Sequence, residues 1–352
     1  QLLDFQSKSN LERVSFFSFT SSENIRIFAA FILKTTCMKK SILLTSLFML
    51  PLFSMVMTAQ DKASGVPAIK IATQGAQNEG KLLSFSAFTS QGGFYVDFGN
   101  GNTRDYPWGG TVAFSDRTYG DTIRVYSLNA DDPIQGFSCK DDSIKGVVLN
   151  EPALRLLDIS GNLVSSIDLS NNPALETLIA ARNQLQKLEF PNGVNLTHVD
   201  LNQNSLEVLD LSGSTKLEYL DVSVNNLRVP KSISWPESDA MTYFDVSCNK
   251  LFNLDYVPSY PALKYFAANH NKLSVVDLSK FPELQTLKLQ YNTNISTLTT
   301  SVCPDLKYLD VTGTKLTEME LSSNHNIVTL KASLLGLIGL DVSAVTELRD
   351  II

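Results

Sequence analysis

From Leu154 to its last residues the chain repeats itself, and this constrains the fold more than any other feature. Aligning Leu154, Leu175, Leu196, Leu217, Met241, Leu263, Leu284, Leu306, Ile327 and Leu348 gives spacings of 21, 21, 21, 24, 22, 21, 22, 21 and 21 residues. Each unit follows L-x-x-L-x-L-x-x-N-x-L-x-x-L-D-L. The unit from Leu196 shows it cleanly, with Val199, Leu201, Asn204, Leu206, Leu209, Asp210 and Leu211. A degenerate earlier unit begins at Ile134, with Phe137, Cys139, Ile144, Val147 and Leu149. In x-x-L-x-L-x-x, alternation puts the apolar residues on one face of a strand and the variable residues on the other. One such strand cannot bury its apolar face alone, so the units stack and share a continuous core. The pattern therefore predicts a β-rich solenoid over residues 134–352, its strands aligned in a parallel sheet at ~4.8 Å per unit.

The recurrent Asn162, Asn183, Asn204, Asn225, Asn249, Asn271 and Asn292 follow the strand, where the chain must turn. A buried amide there can bond backbone groups that would otherwise be left unpaired. Thr314 and Leu335 break this ladder, which predicts less regular final units. The L-D-L half (Asp168, Glu189, Asp210, Asp255, Asp277, Glu320, Asp341) predicts a second short extended segment opposite the first. Pro230, Trp235, Pro236 and Glu237 lie in the longest unit, and read as a loop bulging from the side or back. Leu348 to Ile352 starts a new unit and stops, which reads as a solenoid truncated at its C-terminal end.

These units resemble the leucine-rich-repeat family, specifically the short bacterial class with a second L-D-L segment per unit. The resemblance covers about residues 134–352. It implies a right-handed superhelix with a parallel sheet on its concave side, and binding rather than catalysis as the role. One scaffold of this kind serves many partners, so the motif specifies the fold far better than the function.

Upstream, Met38-Lys39-Lys40 precedes an apolar run from Ile42 to Phe53, followed by Ser54 to Gln60. That is the pattern of a secretory signal peptide, assigned to residues 38–59 with cleavage after Ala59. Pro51 interrupts the run, which is short for a span of ~20 residues, so no transmembrane segment is expected in the mature protein. Residues 1–37 contain no Met and read as upstream translation. Residues 60–131 read as a small β domain or N-terminal cap, sandwich-like, with strands at 68–72, 82–88, 94–98, 111–114 and 122–127. Gly99-Asn100-Gly101-Asn102 marks a turn. Tyr95 to Gly101 is similar to the D-x-G-x-G hairpin of β domains that precede such repeats in exported bacterial proteins. A hairpin turn fits better there than a calcium loop, because oxygen ligands are too few.

The whole chain carries 29 basic and 36 acidic residues. Without residues 1–59, which hold six basic and three acidic ones, the net charge is −10. Nucleic acid is therefore not an expected partner. No P-loop, H-E-x-x-H or C-x-x-C is present, and the three His (His198, His270, His325) fall in different units without a catalytic companion. His198 and His270 are placed at exposed strand positions. Cys139 takes a core slot, Cys248 an outward strand slot and Cys303 the far side of its unit, too dispersed for disulfides. No catalytic residue, metal or cofactor is expected.

The outward strand position of successive units reads Leu156, Thr177, His198, Tyr219, Tyr243, Tyr265, Thr286, Tyr308 and Thr329. Two residues on, Asp200, Asp221, Asp245 and Asp310 alternate with Lys288 and Lys331, and Tyr291 and His270 lie near. Rows of tyrosine give rigid, amphipathic contact area. They also stabilise neighbouring strands by roughly 0.2–1 kcal/mol per pair, and both readings stand at this stage. The candidate ligand-binding residues on the concave face are His198, Tyr219, Tyr243, Tyr265, Tyr291, Tyr308, Asp221 and Asp245. The expected function is a non-catalytic binding module of an exported or cell-surface bacterial protein, with a protein or peptide partner. The alternatives are a targeting arm for an enzyme domain beyond Ile352, a glycan-binding module, or a structural spacer.

Overall fold

The computed structural model describes residues 66–73, 82–191, 194–228 and 233–352. The signal-peptide segment and the residues before it lie outside these, as does Pro230. Six strands precede the repeats: β1 (Ile69–Ala72), β2 (Leu82–Thr89), β3 (Phe94–Asp97), β4 (Thr103–Tyr106), β5 (Gly110–Arg117) and β6 (Thr122–Ser127). Then β7 (Gly136–Cys139) and β8 (Gly146–Leu149) form the degenerate first unit. One sheet has the order β4-β3-β6-β1-β8. The other is a 13-stranded sheet in which β5 and β2 add antiparallel onto β7, and β7 starts the parallel series. Phe85, Phe94 and Phe114 join the two sheets, with ring centroids 5.1–5.5 Å apart. The β segment thus extends the solenoid's own sheet, and its buried apolar residues run into the solenoid core without a break. Strand β4, which the sequence did not suggest, has no alternating pattern. It exists because it pairs with β3 across a turn in which Asp97 Oδ1 accepts from Gly99 N and Gly101 N at 2.8 and 2.9 Å.

In the parallel sheet the units from Leu154 to Ile327 each contribute three residues, the segment Asp350–Ile351 adds two, and the register is strict. Gly136, Leu156, Thr177, His198, Tyr219, Tyr243, Tyr265, Thr286, Tyr308, Thr329 and Asp350 follow one another across successive strands. The middle residue of each strand points inward, and Leu157, Leu178, Val199, Leu220, Phe244, Phe266, Leu287, Leu309 and Leu330 are buried.

After each strand the chain turns through a residue of positive φ: Gly161, Arg182, Gln203, Val224, Cys248, His270, Tyr291, Gly313 and Leu334. Left-handed backbone is costly for Val224, a β-branched residue, so the turn must be held from outside. The next residue holds it. Asn225 Nδ2 donates to the carbonyls of Leu201, Val222 and Ser223 at 3.0–3.1 Å, and its Oδ1 accepts from Leu206 N at 2.9 Å. Asn162, Asn183, Asn204, Asn249, Asn271 and Asn292 likewise donate to strand-end carbonyls of their own and the preceding unit and accept a backbone N–H.

Three expectations need correction. The insertion does not bulge in its described part: Ile233–Ser234 pairs with Leu209–Asp210, and Trp235 is only 4% exposed, edge-on to Phe244 at 5.2 Å. Burial of so large an apolar side chain outweighs the local loop signal of its flanking prolines. The L-D-L segments pair as strands only at Ile167–Asp168 with Leu188–Glu189 and at Leu209–Asp210 with Ile233–Ser234, among the described residues. Their acidic residue serves a turn instead, as Asp168, Asp210, Asp277, Glu320 and Asp341 each accept the backbone N–H two residues on. Finally, His270 and Cys248 occupy the positive-φ turn rather than the strand. In the last units Thr314 Oγ1 finds no partner and Leu334 is largely exposed, as expected where the ladder lapses.

Replacing Asn225 by Ala strands buried carbonyls and an N–H, and is expected to cost at least about 2 kcal/mol in urea unfolding. The half-buried Asn183 should cost clearly less, because its own side chain borders solvent and water can enter the vacated site. Equal losses at the two positions would show that burial does not set the value of the ladder.

Candidate functional site

The strand register brings four rings into one stack. His198 lies 4.1 Å from Tyr219 (11° between planes), Tyr219 lies 4.3 Å from Tyr243 (10°), and Tyr243 lies 4.3 Å from Tyr265 (5°). The cause is the fold: strands ~4.8 Å apart hold side chains at nearly the thickness of an aromatic ring. Each inner ring therefore has both faces covered by its neighbours. What the stack presents to solvent is a row of ring edges and hydroxyls. A sugar could lie flat only on the end rings.

Lys288 closes one end. Its Nζ donates to the Tyr265 hydroxyl at 3.0 Å and sits 5.1 Å from that ring and 5.8 Å from the ring of Tyr308. Lys331 stands 5.7 Å from the other side of Tyr308. The structure thus joins Tyr308 to the tyrosine row through lysine rather than through ring contact. Tyr291 is a correction: it lies at the turn and not on the strand. Its ring stacks on His270 at 4.6 Å and covers Gly313, forming a second, separate pair.

Asp200, Asp221 and Asp245 form a column beside the stack. Asp221 and Asp245 are only 9% and 8% exposed, and each commits one oxygen to its own turn, accepting from Ser223 N at 2.9 Å and Ser247 N at 2.8 Å. This tie to the turn could have been read from the recurrent D-x-S spacing, but the sequence treated these carboxylates simply as outward contacts. Burial pushes the Asp221 carboxyl up to about 6, helped by the charges of Asp245 and Asp200 and opposed by hydrogen bonds from Ser223. Burial likewise raises Asp245, against Ser247 and Lys288. Burial lowers His198 despite Asp200, and raises the Tyr219 phenol to about 12 and Tyr243 further still. At neutral pH Tyr219 and Tyr243 are thus hydrogen-bond donors beside a row of acidic groups.

Among the described residues, no group of His, Cys, Asp and Glu could hold a metal, and no helix is long and apolar enough to cross a membrane. Cys139, Cys248 and Cys303 lie in separate units and form no disulfide with one another. Burial raises Cys303, whose Sγ lies 3.3 Å from the Phe281 carbonyl.

Stacked units of about 21 residues, a strict parallel register and a buried asparagine ladder define a leucine-rich-repeat solenoid. No protein-family model matches the chain, and no curated protein matches it significantly. Solved structures do. The functional domain of InlJ from Listeria monocytogenes, described as including a cysteine ladder, aligns at 25% identity and a TM-score of 0.57. That alignment covers 67% of this chain and 51% of the InlJ chain, so this chain spans about half its length. The leucine-rich-repeat domain of APL1B aligns at 20% identity over 57% of this chain and 67% of its own, with a TM-score of 0.44. Internalin C2 of Listeria monocytogenes aligns at 15% identity over 59% and 81%, with a TM-score of 0.41.

The Asp221 shift makes a signed prediction. Its folded pKa lies above the unfolded value near 3.8, so the folded state binds the proton more tightly. Below about pH 4 both states are protonated and ionisation costs nothing; above about pH 6 the folded state bears the full cost. Asp221→Asn should therefore raise the melting temperature at pH 8 and leave it nearly unchanged at pH 4, by circular dichroism. A larger gain at pH 4 would reverse the assignment.

Proposed function

We propose that this chain is a non-catalytic binding module of an exported or surface-displayed protein, taking up a protein or peptide along the outward face of its parallel sheet. The observation that carries this reading is the stack His198–Tyr219–Tyr243–Tyr265 beside the Asp200–Asp221–Asp245 column. A row of rings held face to face loses little conformational freedom on binding, which is where association usually forfeits affinity. Phenol hydroxyls in a fixed row suit the carbonyls and side chains of a polypeptide. Covered ring faces favour such a ligand over a glycan, which uses open faces. The similarity to InlJ supports a module of this general kind. Export rests on the signal-peptide pattern at residues 38–59, and any activity of the wider protein is open to what else it contains.

The test is selection of a random phage-displayed peptide library on the wild-type chain, followed by the Tyr219→Ala, Tyr243→Ala, Tyr265→Ala triple variant. Selected peptides should bind the triple variant at least about tenfold more weakly. Its melting temperature should fall by only a few degrees, since each cross-strand pair contributes about 0.2–1 kcal/mol. Peptides that bind both proteins equally would remove the tyrosine face from the function.

A further inference from the structure

One cleft on the same face is not used by the tyrosine stack. It lies where the cap meets the first repeats, has a volume of about 330 Å³, and is bounded by Phe88, Gly136, Leu156, Arg155, Glu176 and Thr177. Gly136, Leu156 and Thr177 belong to the register row that continues into His198 and Tyr219. Gly136 brings no side chain to that row, which leaves the floor open. A Cβ there would stand 3.2 Å from Phe88 Cβ, so the glycine also lets Phe88 settle against the strand. Phe88 (36% exposed) and Leu156 (40%) make this end of the face apolar, whereas the positions further along carry Thr, His and Tyr.

At the rim Arg155, Glu176 and Gln135 already have partners. Arg155 donates to Glu176 through two nitrogens at 2.7–3.1 Å, and Gln135 Nε2 donates to Ser90 Oγ at 2.7 Å. An occupant thus gains nothing there from a charge and gains most by burying hydrocarbon. Three strands further on stands Asp221, flanked by Asp200 and Asp245, which calls for a cation.

We infer that this cleft is an anchor pocket for a large apolar side chain of an extended partner segment, which carries a Lys or Arg about four residues away, against the Asp200–Asp221–Asp245 column. The spacing follows from the sheet. Leu156 is in register with Tyr219, three strand intervals away at ~4.8 Å each, and Asp221 stands two residues beyond Tyr219, which makes the separation about 16 Å; four residues of extended chain cover about 14 Å at ~3.4 Å each, and the long Lys or Arg side chain reaches the rest. Side chains four apart on an extended segment also point the same way, so both face the sheet. The inference rests on the tyrosine face being the binding face, and adds to it a second contact and a length.

Three phage libraries of peptides about twelve residues long test it, each randomised except at two fixed positions. The first fixes Phe and Lys four apart, in both orders. The second replaces the Phe by Ser, and the third sets Phe and Lys three apart, on opposite faces. The first library should yield binders of the wild-type chain at least about tenfold tighter than the other two. Leu156→Gln, a change at a half-exposed position, should remove that advantage while leaving the affinity of second-library peptides unchanged. Asp221→Asn should weaken Lys-containing peptides from the first two libraries. Failure of the first library to yield binders, equal yields from all three, or indifference to Leu156→Gln would each overturn the anchor pocket. Binders that lose affinity for the tyrosine triple variant yet ignore Leu156→Gln would leave the binding face standing without the pocket. Binders that ignore both would remove both.

Discussion

The solenoid depends on the asparagine amide that closes the strand turn in seven of its units, from Asn162 to Asn292. Each unit must reverse direction after three strand residues, and the reversal forces a non-glycine backbone into left-handed space at Arg182, Gln203, Val224, Cys248, His270 and Tyr291. No side chain at those positions explains the conformation. The following asparagine does, by donating to carbonyls at the ends of two strands and accepting a backbone N–H of the preceding unit. Because each asparagine bonds its own unit and the one before, the turns are coupled, and the strands inherit a common register. The face-to-face rings are a consequence of that register and need no further device to align them.

The parallel sheet, the ladder and the inward leucines were legible because they recur, and recurrence betrays a shared physical demand. The second turn of each unit was not. There the buried slot is filled by Glu151, Asn172, Val194, Ser214, Ser238, Tyr260, Phe281, Cys303, Asn324 and Val345 in turn. Its backbone bonding is repeated at most units, for instance from Leu175 N to the Asn172 carbonyl and from Leu284 N to that of Phe281, but the side chain is free to vary. No residue type marks it. Trp235 was misread for a related reason: its neighbouring prolines signal a loop, whereas its position beside Phe244 and the stretch around Tyr260 makes it core. Of the candidate site, the strand tyrosines could be aligned by counting alone. The separation of Tyr291 could not, since a turn residue and a strand residue differ here only in φ.

The sheet is aromatic on both sides at one place. Tyr243 and Tyr265 stack outward while Phe244 and Phe266 stack inward at 5.5 Å, backed by Trp235, Tyr260 and Phe281. Tyr260 is fully buried, and its hydroxyl donates to the Pro236 carbonyl at 3.0 Å, tying the insertion to the core. Large flat side chains on both faces of the same strands leave little room for those strands to shift, so the candidate contact row sits on a densely aromatic part of the solenoid.

Stacking also makes distance along the face a discrete quantity. Every unit adds one strand interval, and the asparagine that closes it is indifferent to which units stand on either side. Gain or loss of a single repeat by unequal recombination, between Leu156 and Tyr219 for instance, would move two chemically intact surfaces apart or together by one fixed step. A repeat array of this kind can therefore change the spacing between two surfaces without redesigning either one.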